Sequence, residues 1–517
     1  MKNIRIQIWV LPIVALAMLA GACTPFEELN SNPNTTNKGD VGMLSTTVVM
    51  NLVNRDAWNG SWSSGPFIGK YFFWGEQMSN YQYNQITNGS FNRIRRITDA
   101  QKMVECASDV VKPTYEGLYY LMKAMAFYET TMLMGDIPYT EAIDIESFRY
   151  PKYDDQKTVF SGILNDLAKA DECFSQAKSP IAGDPYSFGG DVAKWRKATN
   201  TLRLRVLMSL SKRAQDTPDL AIKETFSSIA SNCPVLDDGE DLLIEYSSKG
   251  GQICPLKQEI WKSVNVVAVS SVLIDSLKEL GDYRLFYYLA PMAAATTPDN
   301  SFDSYEGIDP SIVFSSGTEL INAGRYCRFN SFMRSTNTGI PFLFVGGAET
   351  WFLMAEAAER GWISGSAKTY YDKGVTAAMN YVKKYYYDFD NDAPVNKGME
   401  IDDDYIKAYL NGPAAYKGGE EGIKQIITQK YIAGFLNGNF ESWYEYRRTG
   451  YPEFPINPDT NLNEERMKMP VRFLYPQAET SYNKEQLELA LQRQWGGVES
   501  VNKVMWVLKY VVGLAVV

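Results

Sequence analysis

The chain has 517 residues, 45% of them hydrophobic, and carries 61 acidic against 51 basic side chains for a formal net charge of −10. That acidic balance argues against nucleic acid as a partner. No histidine is present, which removes Ser-His-Asp and Cys-His catalysis and the usual zinc sites.

Residues 1–22 read as a targeting segment. Lys2 and Arg5 precede an apolar run from Ile6 to Leu19, and Ala20-Gly21-Ala22 stands before Cys23. The run is shorter than the ~20 residues of a membrane span. Small residues directly before a cysteine resemble a bacterial lipoprotein signal, here with Leu19 one place earlier than usual. Cys23 is therefore the expected lipidation site, against the alternative of an ordinary secretory signal. Residues 23–40, dominated by Asn, Pro and Thr, are expected to form an extended tether. Five further cysteines (Cys106, Cys173, Cys233, Cys254 and Cys327) cannot all pair. Cys233 and Cys254 either bridge a loop or stand as isolated thiols.

Residues 41–56 look helical. From Trp58 to Phe91 the pattern breaks into Trp58, Trp62, Phe67, Tyr71, Phe72, Phe73, Trp74, Tyr81 and Tyr83 among Gly, Ser, Asn and Gln. Flat rings beside amide side chains suit sugar recognition, because rings stack on C–H faces while amides bond hydroxyls. The competing reading makes most of these rings core anchors. Trp58, Trp62, Tyr71, Trp74, Tyr81 and Tyr83 are the candidate platform.

The stretch Tyr115–Ala142 carries Leu118, Leu121, Met122, Met125, Tyr128 and Met132 at three- and four-residue steps. Tyr120, Ala124, Phe127 and Thr131 make a second face, so this helix should be buried on both sides. Gly135 and Pro138 should end it. Asp155 should cap a helix whose Phe160, Ile163, Leu164, Leu167, Ala170 and Phe174 share a face. Asp191 should open another, with Trp195, Ala198, Leu202, Val206 and Leu210 in register. A short helix over 270–280 should stop at Gly281.

Residues 291–342 lack periodicity and are too long for a plain connection, which points to a functional insertion. Tyr305, Arg325, Tyr326 and Phe329, with Arg328 among them, are its candidate contacts. Helical pattern resumes over 348–383, where Gly361-Trp362 turns the chain and Ala367, Tyr371 and Gly374 let two helices approach closely. It returns from 402 and from 421. Asn483 with Gln486 reads as a capping-box start for a last helix, and short extended pieces are expected near Val471–Leu474. Asp388, Asp390 and Asp392 open like a calcium loop, but Ala393 and Met399 stand where the loop needs Gly and Glu. Glu441 should pair with Arg447 or Arg448.

These elements predict a mainly all-α protein: a tetratricopeptide-like scaffold of helical pairs, with long irregular ligand-binding insertions and few short strands. The expected organisation is a signal peptide (1–22), the tether (23–40), one helical domain (41–503) and an atypical apolar tail (504–517).

Several stretches carry a family resemblance. Gly-Asp-Ile-Pro-Tyr-Thr-Glu-Ala (135–142), Lys-Trp-Arg-Lys-Ala-Thr-Asn-Thr-Leu-Arg-Leu-Arg (194–205) and Ala-Glu-Ala-Ala-Glu-Arg-Gly-Trp (355–362) resemble the SusD/RagB nutrient-binding outer-membrane lipoproteins. So do Ile-Thr-Gln-Lys-Tyr (427–431) and Trp-Tyr-Glu-Tyr-Arg-Arg-Thr-Gly-Tyr-Pro (443–452), with Arg472 and Tyr475-Pro476 after them. The likeness is to the SusD-like branch and spans Cys23 to about Trp506. It implies a lipid-anchored, surface-exposed outer-membrane protein that binds glycans, or in some members peptides, and passes them to a TonB-dependent, SusC-like barrel. No catalysis and no cofactor are implied. The family commonly ends soon after a Lys-Val-Trp-Trp-like element, here Lys503-Val504-Met505-Trp506, whereas this chain runs on to Val517.

An oligosaccharide is the expected ligand, with a peptide as the alternative. A glycan-cleaving enzyme would need two carboxylates across a cleft, and no motif supplies them. A pure protein-interaction scaffold would leave the aromatic stretch without a purpose.

Overall fold

A computed structural model describes residues 39–53, 64–438 and 440–509. Cys23, Trp58, Trp62 and the tail beyond Lys509 lie outside the described residues. Among the described residues, the helices of nine or more residues are α1 (Val41–Val53), α2 (Ile97–Cys106), α3 (Lys112–Met134), α4 (Gln156–Gln176), α5 (Val192–Ser209), α6 (Ile222–Asn232), α7 (Ser271–Glu279), α8 (Phe314–Asn322), α9 (Gly347–Glu359), α10 (Ala367–Tyr385), α11 (Asp403–Asn411), α12 (Gly419–Ala433), α13 (Glu441–Thr449) and α14 (Lys484–Trp495). Among the described residues, eight strands make four antiparallel pairs, β1 (Phe72–Trp74) with β3 (Val267–Val269), β2 (Asp241–Ile244) with β6 (Phe342–Gly346), β4 (Leu289–Ala290) with β5 (Arg328–Phe329) and β7 (Tyr387–Asp388) with β8 (Ala393–Pro394). The protein is mainly helical, as its periodicities predict.

Two helix pairs, α3–α4 and α9–α10, are closed by the same device. A Cβ added at Gly117 of α3 would lie 2.7 Å from the Phe174 ring of α4, and one added at Gly374 of α10 would lie 2.6 Å from the Phe352 ring of α9. Each glycine leaves a socket into which the partner's phenylalanine packs. α5 joins the two pairs, with the Thr201 hydroxyl 3.0 Å from that of Thr350 on α9. Leu118, Leu121, Met125 and Phe127 of α3 are fully buried, as a helix apolar on two faces requires.

The caps follow local chemistry in two of three places. Asp155 accepts from the Thr158 amide at 2.9 Å and Asp191 from the Ala193 amide at 2.9 Å. The capping box expected at Asn483 does not form; its side-chain amide nitrogen donates to the Pro151 carbonyl at 2.9 Å and its side chain caps no helix amide, because that tertiary bond orients the side chain away from the helix start. Gly135 ends α3 at φ +99°, ψ −129°, a region open to glycine rather than the left-handed helical turn expected.

The Gly135–Ala142 stretch works as a latch. The Asp136 carboxylate accepts from the Gln156 amide at 2.9 Å and from Arg493 of α14 at 2.6 Å. Burial pushes this carboxyl up to about 6 against the pull of Arg493. The Tyr475 hydroxyl donates to the Asp136 carbonyl at 2.7 Å. Thr140 and Tyr139 are tied to Asp154 and Asp166. Near Val471–Leu474 the extended chain makes an isolated bridge, Asn88 with Leu474, rather than a strand.

Glu441 does not pair with Arg447 or Arg448. Arg448 engages Glu356 and Glu445, and Glu441 lies 4.0 Å from Arg205. Arg447 instead lays its guanidinium 3.9 Å from the Trp443 ring centroid and donates to the Met132 carbonyl at 2.9 Å. Cys106, Cys173, Cys233, Cys254 and Cys327 are all free thiols.

Candidate ligand-binding site

The aromatic stretch and the insertion meet on one ladder. β1 (Phe72–Trp74) pairs with β3 (Val267–Val269), setting Phe72 opposite Val269 and Trp74 opposite Val267. On the far side of β3 the Val269 amide donates to the Cys327 carbonyl at 2.9 Å. Cys327 leads directly into β5 (Arg328–Phe329), which pairs with β4 (Leu289–Ala290). Side chains alternate across such a ladder. Phe72 and Phe329 therefore meet on the core face, ring centroids 5.2 Å apart. Phe73, Ala268 and Tyr326 gather on the other face.

That alternation sorts the candidates. Tyr71 is buried and stacked on Tyr431, 4.2 Å between centroids at 4°, with its hydroxyl donating to the Tyr431 carbonyl. Tyr83 is buried with its hydroxyl 2.9 Å from the Ile312 carbonyl, and burial pushes that phenol up to about 12. Tyr305 is buried with its hydroxyl on the Asp299 carbonyl, and Phe329 is buried against Phe72. These four rings are core anchors, since no ring face is left for a ligand. Tyr81 is half-buried against Phe473. Arg325 is exposed and paired with Glu306 at 2.8 Å.

Trp74 and Tyr326 remain half-buried at the rim of the ladder. Trp74 stacks on Phe67, centroids 6.1 Å apart, and its backbone amide donates to Gln82 Oε1 at 2.9 Å. The Tyr326 hydroxyl donates to the Asn265 carbonyl at 3.1 Å. Asn265 lies two residues before Val267, the partner of Trp74. Its side-chain oxygen accepts from Arg334, and Trp261 packs near Phe329, centroids 6.3 Å apart. Trp261, Asn265 and Arg334 escaped the sequence reading. The stretch Trp261-Lys262-Ser263-Val264-Asn265 bears the same mixture of ring and polar side chain that marks residues 58–83, at lower density.

A hollow of about 1160 Å³, counted to its open mouth, lies away from this ladder's rim between α3, α5, α9, α12 and α13. Its charged lining is spent internally. Arg205 makes two 2.6 Å bonds to Glu349, Lys430 pairs with Glu445, and Arg448 pairs with Glu356 and Glu445. Burial raises the Glu445 carboxyl, and Arg448 and Lys430 outweigh it to leave the group below its ordinary range. This arrangement braces helices and offers a ligand little unspent polarity.

The chain belongs to the SusD-like family. Residues 34–476 match its family model, described as starch-binding and associating with the outer membrane. Solved structures agree over about nine-tenths of the chain. A SusD homologue from Bacteroides fragilis NCTC 9343 is 37% identical with a TM-score of 0.85, covering 91% of this chain and 100% of its own. A second homologue from that organism is 31% identical with a TM-score of 0.80, covering 92% and 100%. An outer-membrane nutrient-binding candidate from Bacteroides vulgatus ATCC 8482 is 29% identical with a TM-score of 0.81, covering 91% and 100%. No curated protein sequence matches. No helix among the described residues is long and apolar enough to cross a membrane.

Proposed function

We propose that the protein is a lipid-anchored cell-surface receptor that captures an oligosaccharide at the Trp74–Tyr326 rim and hands it, uncleaved, to a TonB-dependent barrel transporter. Membership of a family described as starch-binding and outer-membrane-associated supports capture at the outer membrane. One observation carries the location: half-buried rings from three separate stretches border the same ladder, Trp74 and Trp261 on the side of Phe72 and Phe329, and Tyr326, bonded to the Asn265 carbonyl, on the side of Phe73. Half-buried rings keep an apolar face for a sugar, while the amide and guanidinium groups beside them meet hydroxyls. Trp58 and Trp62 belong to the same proposed platform by composition, and Cys23 is the proposed anchor.

A glycan array run beside a peptide pool tests the reading, with bound oligosaccharide recovered and sized. Retention of an intact glycan, lost in Trp74→Ala and Tyr326→Ala proteins that keep their melting temperature, is the expected result. Retention of peptides alone, or shortening of the glycan by the pure protein, overturns it. Cys23→Ser should leave the membrane fraction, and a barrel transporter should co-purify with the anchored wild type.

A further inference from the structure

We propose that the rim selects acidic glycans, with Arg328 and Arg334 forming a subsite for a carboxylate or sulfate group on the sugar. This inference rests on the reading of the rim as a glycan site. The two arginines are half-buried neighbours of the rings already described. Arg328 leaves β5 with its guanidinium 5.9 Å from the Tyr326 ring centroid. Arg334 donates from Nε to the Phe329 carbonyl at 3.0 Å and from Nη1 to Asn265 Oδ1. Those two bonds fix the plane of the fork while leaving further N–H groups unspent, since a guanidinium has five.

Among the described residues, neither Arg328 nor Arg334 has a carboxylate within 4.0 Å. The nearby Glu306 is committed to the exposed Arg325, three residues before Arg328. A chain with ten more acids than bases thus leaves, among its described residues, two half-buried cations that repel each other with no carboxylate within 4.0 Å. Burial, and then the like charge of Arg328, push the Arg334 guanidinium down to about 10. Both effects oppose the charged form, and an anion placed between the two forks would relieve both. The same guanidinium planes accept a uronate carboxylate or a sulfate ester, because each offers oxygens to a planar pair of donors.

The test uses the full chain and four probes: an oligogalacturonate, its methyl ester, a sulfated oligosaccharide of similar length, and poly-glutamate. Calorimetric titration at low salt should show one or both acidic saccharides binding at least about tenfold tighter than the methyl ester, the scale of one charge-assisted hydrogen-bond pair. Which acidic saccharide binds separates carboxylate from sulfate. Arg328→Gln and Arg334→Gln should each remove about tenfold of that preference for acid over ester. Arg334→Lys keeps the charge but not the fork, and should recover part of the loss, which a purely structural role would not show. Thermal melts confirm that the variants fold.

Equal affinity for acid and ester, or acid binding indifferent to both substitutions, overturns the proposal. If the ester or a neutral glycan binds and Trp74→Ala abolishes that binding, only the acid subsite falls. If no saccharide of either charge binds, or poly-glutamate alone does, the glycan reading falls with it.

Discussion

Glu356→Gln is the most informative perturbation of the scaffold. The Glu356 side chain is fully buried and accepts from Arg448 Nη2 at 2.8 Å and from Arg360 Nε at 2.9 Å. Arg448 also engages Glu445 and donates to the Ser211 hydroxyl at 3.1 Å. The substitution keeps an oxygen acceptor in place but leaves a buried guanidinium facing one carboxylate instead of two. Breaking a buried pair from one side costs about 3–5 kcal/mol, whereas an exposed pair is worth about 0–1 kcal/mol. Urea unfolding followed by tryptophan fluorescence should therefore show a loss of about 3–5 kcal/mol. A Glu356→Leu, Arg448→Met protein removes both charges, and should lose much less than the sum of its single variants, since neither charge is then stranded.

Acidity supplies a second arm. Burial alone would raise the Glu356 carboxyl, but Arg448 and Arg360 outweigh it and hold it below its ordinary value of 4.5. Its contribution is thus fully present above pH 4.5 and is lost as pH falls through the folded value. The wild-type and Glu356→Gln stability curves should converge below pH 4.5. A loss under about 1 kcal/mol, or curves that stay parallel on acidification, would refute the view that this pair braces the helices.

Trp74→Ala should weaken glycan binding about ten- to a hundredfold, read by calorimetric titration. Gly374→Ala gains about 1 kcal/mol of helix propensity, but must displace the Phe352 ring 2.6 Å away at about 1–3 kcal/mol. It should lower the melting temperature, and Phe352→Leu in the same chain should restore part of the loss. Lys70 is buried, donating to the Gln82 carbonyl and to Asn84 Oδ1 at 2.7 Å. Burial pulls its ammonium down to about 7, against the opposing pull of Asp309. Between that value and 10.5 the unfolded chain binds more protons, so stability should rise from pH 7 to 9 in wild type. The rise should be flatter in Lys70→Met.

The helical scaffold was legible in the residues because its signals are local. Apolar side chains at three- and four-residue steps oblige α3 to bury two faces, Asp155 and Asp191 sit where free amides need an acceptor, and Gly374 leaves room that only a close neighbour uses. Local grammar failed where a distant group engaged the side chain first. The Asn483 side chain turned from its own helix to Pro151, and Arg448 turned from Glu441 to Glu356 on another helix.

The candidate site was legible only as a neighbourhood. Composition marked both the stretch with Trp74 and the insertion with Tyr326, yet it could not divide Tyr326 from Phe329 three residues on. That division is made by β3, some two hundred residues from β1, whose pairing turns Phe329 into the core and leaves Tyr326 at the rim. The meeting of Arg334 with Asn265 and Arg328 has no periodicity to announce it, because those side chains lie on separate short elements. Residue type and spacing determined which segments become helices and which faces they bury. Only the tertiary pairing decided which rings and cations stay in reach of solvent, since burial of a side chain depends on what the rest of the chain lays against it.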